Sequence, residues 1–76
     1  MSSIAQIRGA RGLLGWSQAQ LAKAAGLSEP TIKRFEPSQT NVSDAAVGKM
    51  VAALHDAGVE FTNGDQPGVR MRKADV

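Results

Sequence analysis

The sequence predicts a mainly α-helical protein, with four to five short helices and a C-terminal β-hairpin. Two observations lead to this fold class. From residue 4 to about residue 57, apolar residues recur every three or four positions, which is the period of an amphipathic helix. After residue 58 the pattern changes to alternation, as in Val59-Glu60-Phe61, which is the period of a strand. We expect residues 1–58 and 59–76 to be parts of one compact domain.

The first and last helices are predicted from apolar stripes that end at a glycine. The first stripe comprises Ile4, Ile7, Ala10, Arg11 and Leu14 and ends near Gly15, and the last comprises Val47, Met50, Val51 and Leu54 and ends at Gly58. Two further glycines, Gly9 and Gly12, lie inside the first helix, and each weakens it by about 1 kcal/mol relative to alanine. This helix therefore depends on packing against the rest of the chain.

Two short helices joined by a tight turn are predicted in the central stretch, residues 17–36. Ser17 can cap the first of them, with Gln20 at the position that completes a capping box. Ser28 can cap the second. Between them Gly26 stands where the chain must turn, in a left-handed conformation that glycine adopts at little cost. The inner surface of this bend is formed by Leu21, Ala22, Ala25, Leu27, Ile32 and Phe35.

The tail is predicted to form a hairpin, with residues 59–62 paired against 69–73 and a turn around Asn63-Gly64. An isolated hairpin is only marginally stable in water. It must therefore pack on the helices, pair its edge with another chain, or do both. We expect it to contribute to a homodimer interface together with part of the helix at residues 43–57. The expected dimerisation residues are Val59, Phe61, Val69 and Met71.

Composition excludes several classes of function. The 76 residues include no cysteine and one histidine, so the sequence predicts no metal site, no cofactor site and no nucleophile–base pair, and hence no enzyme. The sequence contains no membrane span and no signal peptide, which makes the cytoplasm the expected location. A net charge of +2 and a pI near 9.5 favour an anionic partner.

Residues 4–57 resemble the Xre/lambda-repressor-like helix-turn-helix family of bacterial and phage regulators. The resemblance is strongest in the stretch SQAQLAKAAGLSEPTIKRFE, residues 17–36. The matching positions are Ser17-Gln18, Leu21-Ala22, Gly26-Leu27, Ser28 and Ile32 through Glu36. This resemblance implies a sequence-specific regulator of transcription that binds double-stranded DNA and places the helix at residues 28–36 in the major groove.

The resemblance also implies roles for individual residues. The expected base-reading residues are Glu29, Pro30, Lys33 and Arg34, with Thr31 at the margin. The expected phosphate-binding residues are Gln18, Ser28, Thr40 and Asn41. Arg11 and Glu36 are expected to form a structural ion pair that ties the recognition helix to the first helix. Residues 37–41 lack the glycine and basic residues that the family commonly has there, which predicts fewer phosphate contacts.

The simplest function implied by this pattern is that of a repressor, acting as a homodimer on an inverted repeat and associated with the nucleoid when bound. Activation through contact with the polymerase stays open. The alternative is a protein-interaction module, either antitoxin-like or an adaptor, that uses the edge of the C-terminal strand. The two functions are compatible, because a regulatory protein partner can control a small DNA-binding protein by masking its DNA surface.

Overall fold

The structure is a computed structural model that describes residues 4–35, 43–62 and 68–72. The elements in these ranges are α1 (Ile4–Leu14), α2 (Gln18–Ala25), α3 (Glu29–Phe35), α4 (Asp44–Asp56), β1 (Val59–Thr62) and β2 (Gly68–Met71). The predicted fold class, mainly α-helical with a C-terminal hairpin, is confirmed. Among the helices in these ranges, none is both long and apolar enough to span a bilayer.

The core receives apolar side chains from all four described helices and from β1. Its members are Ile7, Ala10, Leu21, Ala22, Ile32, Phe35, Val47, Met50, Leu54 and Val59. Seven of these side chains are both large and fully buried, and they come from every one of these five elements. No single element can bury its apolar face without the others, so the described elements stabilise one another.

Helix α1 ends as the sequence predicts. Gly15 has a φ of 68°, in the left-handed region, and the Trp16 N–H donates a 3.0 Å hydrogen bond to the Arg11 carbonyl. This geometry satisfies carbonyls that the last helical turn leaves without a partner. The half-buried ring of Trp16 packs against the core, so the turn also orients the entry into α2.

The hairpin is antiparallel, and its second strand is shifted from the prediction. β2 runs from residue 68 to 71, whereas the sequence predicted 69–73. The register pairs Val59 with Met71 and Phe61 with Val69, which places all four expected dimerisation residues on one face. Val59, Phe61 and Val69 pack in or against the core of their own chain. Val59 is fully buried and belongs to the core of its own chain, while Met71 keeps 43% of its surface exposed.

Gly9 allows the hairpin to lie close to α1. A Cβ atom built at this position would stand 3.3 Å from Cγ2 of Val69, which is tighter than an ordinary van der Waals contact. The sequence indicated only the cost of a glycine inside a helix. The structure shows that the missing side chain makes room for β2.

Gln6 joins α1 to both strands of the hairpin. Its Nε2 donates 3.0 Å hydrogen bonds to the carbonyls of Thr62 and Gly68, which face each other at the loop end of the hairpin. The side chain is 4% exposed, and an unpaired amide at this depth would be costly. These two bonds fix the position of the hairpin on the helices, and the sequence did not predict them.

Candidate nucleic-acid interface

The turn between α2 and α3 is held by main-chain hydrogen bonds at the predicted glycine. Gly26 has a φ of 70°, its N–H donates to the Lys23 carbonyl at 3.3 Å, and the Leu27 N–H donates to the Ala22 carbonyl at 2.8 Å. This pair of bonds is a Schellman motif, which needs a left-handed residue at the position of Gly26. The turn therefore has one defined geometry, and that geometry sets the angle between α2 and α3.

The start of α2 is also fixed as predicted. The Gln20 N–H donates to Ser17 Oγ at 3.1 Å, and the Ser17 N–H donates to Gln20 Oε1 at 2.7 Å. These reciprocal bonds are the predicted capping box. Gln18, an expected phosphate-binding residue, lies half-buried in the first turn of this helix, where main-chain N–H groups favour an anion.

Helix α3 has one buried face and one exposed face. Ile32 and Phe35 are fully buried against the rest of the core. On the opposite side the exposed residues are Glu29, Pro30, Lys33 and Arg34. Their spacing places them in two adjacent rows, 29 with 33 and 30 with 34, each separated by one helical turn. The structure thus brings four of the five expected base-reading residues onto one exposed surface, which we call the α3 outer face.

Glu29 and Lys33 contact each other on this face. Lys33 Nζ lies 3.2 Å from Glu29 Oε2, and the Lys33 and Glu29 side chains are 60% and 44% exposed. This ion pair was not predicted, although a glutamate four residues before a lysine in a helix is the signal for it. Exposed pairs of this kind contribute about 0.3–0.5 kcal/mol, so a competing base edge or phosphate can separate them at little cost.

Thr31 differs from the other expected base-reading residues because it contacts the cap of α3. It is half-buried, and its Oγ1 lies 2.8 Å from Ser28 Oγ. Ser28 Oγ also lies 3.4 Å from the Thr31 N–H, which is a long bond for an N-cap. Ser28 is exposed at the start of α3, where the sequence pattern predicts a phosphate contact.

Three of the predicted site residues lie outside the described residues: Glu36, Thr40 and Asn41. The expected ion pair between Arg11 and Glu36 therefore stays a prediction. Arg11 itself is half-buried, and its Nη1 donates a 2.8 Å hydrogen bond to the Trp16 carbonyl. The guanidinium thus helps to hold the connection between α1 and α2.

Within the described part of the chain, no group of three or more histidine, cysteine, aspartate or glutamate side chains stands close enough together to hold a metal ion. The charged side chains on the α3 outer face are exposed and comprise one acceptor, Glu29, and two donors, Lys33 and Arg34. Such an arrangement can form hydrogen bonds with the edges of base pairs.

A helix-turn-helix family model matches residues 7–55, which is more than half of the chain. The matched range begins in α1 and ends in the last turn of α4, so it includes the Gly26 turn and the whole α3 outer face. A comparison with curated proteins finds no match.

Proposed function

Because the chain belongs to the Xre/lambda-repressor-like helix-turn-helix family, whose members are DNA-binding regulators, we propose that it binds a specific duplex sequence through the α3 outer face. The observation that carries this proposal is the division of α3 into two faces. Ile32 and Phe35 hold the helix in the core, while the opposite side stays exposed. A helix held in this way can enter the major groove, which has the width of one helix, without losing its own packing.

The residues of the α3 outer face suit different base edges. Arg34 presents paired N–H donors that match O6 and N7 of guanine. Glu29 can accept from N4 of cytosine, and Lys33 can donate to guanine. Pro30 has no donor and offers only apolar contact, for example to a thymine methyl group. Because Glu29 and Lys33 lie side by side, they present an acceptor and a donor together, which suits a G·C pair.

Phosphate contacts would orient α3 in the groove. We assign them to Gln18 and Ser28, which lie in the first turn of α2 and at the start of α3. Main-chain N–H groups at helix starts attract anions, and such contacts position a protein without reading sequence. Thr40 and Asn41 stay proposed phosphate contacts in the segment after α3.

The biological form we propose is a homodimer on an inverted repeat. Two copies of α3 would then lie about 34 Å apart, one turn of the duplex. Occupation of a promoter by such a dimer blocks the polymerase, so repression follows from DNA binding alone. The protein would act in the cytoplasm, at the nucleoid. Control by a regulatory protein partner stays a prediction.

Selection of binding sites from a randomised duplex pool, followed by titration of variants, tests this proposal. Arg34→Ala should weaken binding to the selected half-site by about 1–3 kcal/mol, roughly 5- to 150-fold, and relax the preference at one position. Arg8→Ala is the matched control, because it removes the same group from an exposed position on α1. It should change affinity little.

Two results would contradict the proposal. The first is a selection that enriches no sequence at moderate salt. The second is an equal loss of affinity in Arg34→Ala and Arg8→Ala, since that would indicate general electrostatic attraction instead of base reading by α3.

A further inference from the structure

A groove of about 550 Å³ runs along the outer side of α4. The α4 residues that line it are Asp44, Val47, Gly48, Val51, Ala52, His55 and Asp56. Phe61 of β1 forms one wall. We call this feature the α4 groove. On its other side α4 buries Met50 and Leu54 in the core, so the groove lies on the side of the helix away from these two residues.

We propose that the α4 groove holds α4 of a second copy of this chain, with the two helices antiparallel about a two-fold axis. The inference rests on the proposed function, because it supplies the homodimer with a specific interface. A two-fold axis near the middle of α4, between residues 49 and 50, pairs groove residues that lie equally far from that point. The pairs are Asp44 with His55, Val47 with Ala52, and Gly48 with Val51, each formed twice.

The side chains in these pairs complement each other in size. Val51 of one copy meets Gly48 of the other, so the larger residue enters the space that the glycine leaves. Val47 is only 3% exposed and forms the floor of the groove, where the small side chain of Ala52 from the second copy can lie. Large residues opposite small ones allow two helices to approach closely without strain.

Nothing in the described part of the chain accounts for a glycine at position 48. A glycine inside a helix costs about 0.5–1 kcal/mol relative to alanine. A Cβ atom built at Gly48 would meet no atom within 4 Å, and its φ is not positive. Neither crowding nor backbone conformation therefore requires a glycine there. The close approach of a second α4 would supply the reason, as β2 does for Gly9.

The polar groups at the two ends of the groove also complement each other in this arrangement. Arg72 Nη1 lies 3.3 Å from His55 Nε2. The other ring nitrogen of His55, Nδ1, can donate to the Asp44 carboxylate of the second copy when it carries a proton. Asp56, which also lines the groove, comes opposite Ser43, at the N-terminus of the second α4, where the helix dipole favours a negative charge.

A second copy explains these features better than an unrelated apolar helix. When the same helix returns in the opposite direction, the Asp44 carboxylate at one end of the groove and the His55 imidazole at the other each meet a partner. The contact involves one short helix and one aromatic residue from each chain. Interfaces of this small size are typically weak, so we expect a dimer that forms at high concentration and is strengthened on a duplex with two half-sites.

Sedimentation velocity of the whole chain over a range of concentrations tests the interface. Gly48→Leu should fill the space that Val51 of the second copy needs and raise the dimer dissociation constant about tenfold or more. Its thermal midpoint, measured where the wild type is monomeric, should not fall, because the new side chain meets open space in its own chain. Gly12→Leu is the matched control on α1, also in open space, and should leave dimerisation unchanged.

Charge exchange provides a test that loss of folding cannot imitate. Asp44→Lys should weaken the dimer because it places a cation opposite His55. His55→Glu should weaken it because it places two carboxylates together. The double variant should recover most of the lost affinity, since the introduced ammonium and carboxylate would then pair across the axis. A double variant at least as weak as either single variant would overturn the proposed antiparallel register.

The results separate failure of the interface from failure of DNA binding. A folded Gly48→Leu variant that dimerises as the wild type does would overturn the α4 groove as the interface, and so would a wild type that stays monomeric both alone and on a two-site duplex. In either case binding to a single half-site still tests the α3 outer face independently. If the interface is correct, Gly48→Leu should bind a half-site normally and lose only the added affinity for two sites.

Discussion

Replacing Gly26 with alanine tests the turn that sets the angle between α2 and α3. The backbone at this position has a φ of 70°, and a Cβ atom added there would meet nothing within 4 Å. The cost therefore comes from the backbone and not from a steric clash with a neighbour. A left-handed conformation costs a residue with a side chain about 1–2 kcal/mol, which is the destabilisation we expect.

Gly12→Ala is the matched control for this substitution. Gly12 also faces open space, but it lies within α1 and its φ is not positive. The added methyl group should there stabilise the protein by about 0.5–1 kcal/mol, because alanine loses less backbone entropy than glycine in a helix. The same chemical change should thus shift stability in opposite directions at two equally uncrowded positions.

Urea unfolding followed by circular dichroism measures both effects. The midpoint should fall for Gly26→Ala and rise for Gly12→Ala, while the slope m should stay constant because the surface exposed on unfolding is the same. For a domain of this size, each kcal/mol corresponds to about 4–8 °C in Tm. A Gly26→Ala protein as stable as the wild type would refute the reasoning, since it would mean that the left-handed turn is not required.

Further substitutions test the helix caps and the attachment of the hairpin. Ser17→Ala removes the acceptor of the Gln20 N–H and should lower the free energy of unfolding by about 1 kcal/mol in urea titrations. Ser28→Ala removes a longer bond and should cost less; the reverse order would contradict this ranking. Gln6→Leu leaves two carbonyls at the loop end of the hairpin without their donor, and should cost about 1–3 kcal/mol. Relative to the wild type, amide hydrogen exchange should then accelerate more in the two strands than in α2. An equal acceleration in all elements would argue against a local role for Gln6.

The features that could be predicted from the sequence depend on residues close together in the chain. Ser17 and Gln20 form the capping box because both partners lie within one helical turn. Gly26 ends α2 because a left-handed turn requires only a glycine at that position and no partner from a distant part of the chain. The exposed face of α3 follows from its helical period once Ile32 and Phe35 are placed inside. Local signals of this kind can be recognised in the sequence because they do not depend on distant parts of the chain.

The features that could not be predicted depend on residues far apart in the chain. Gln6 looked like an ordinary polar residue on a helix, since its partners are main-chain carbonyls, which have no sequence signature. One signal was present: Gln6 lies four residues before the buried Ala10, on the same side of the helix. The α4 groove was equally hidden, because the apolar stripe of α4 does not show that Val51 and Phe61 of β1 border an open groove. β2 begins one residue earlier and ends two residues earlier than predicted, because its pairing spans a turn that local rules do not fix.

The hydrogen bonds of Gln6 have a consequence for the order of folding. They join residues that are 56 and 62 positions apart, so they close a loop almost as long as the chain. Closing such a loop costs more entropy than forming the contacts between neighbouring helices, and contacts of this range form late. During synthesis, residue 68 leaves the ribosome only after all four described helices. Until then, the part of α1 that holds the hairpin has no second strand to pack against, so we expect the hairpin to dock in a late step of folding.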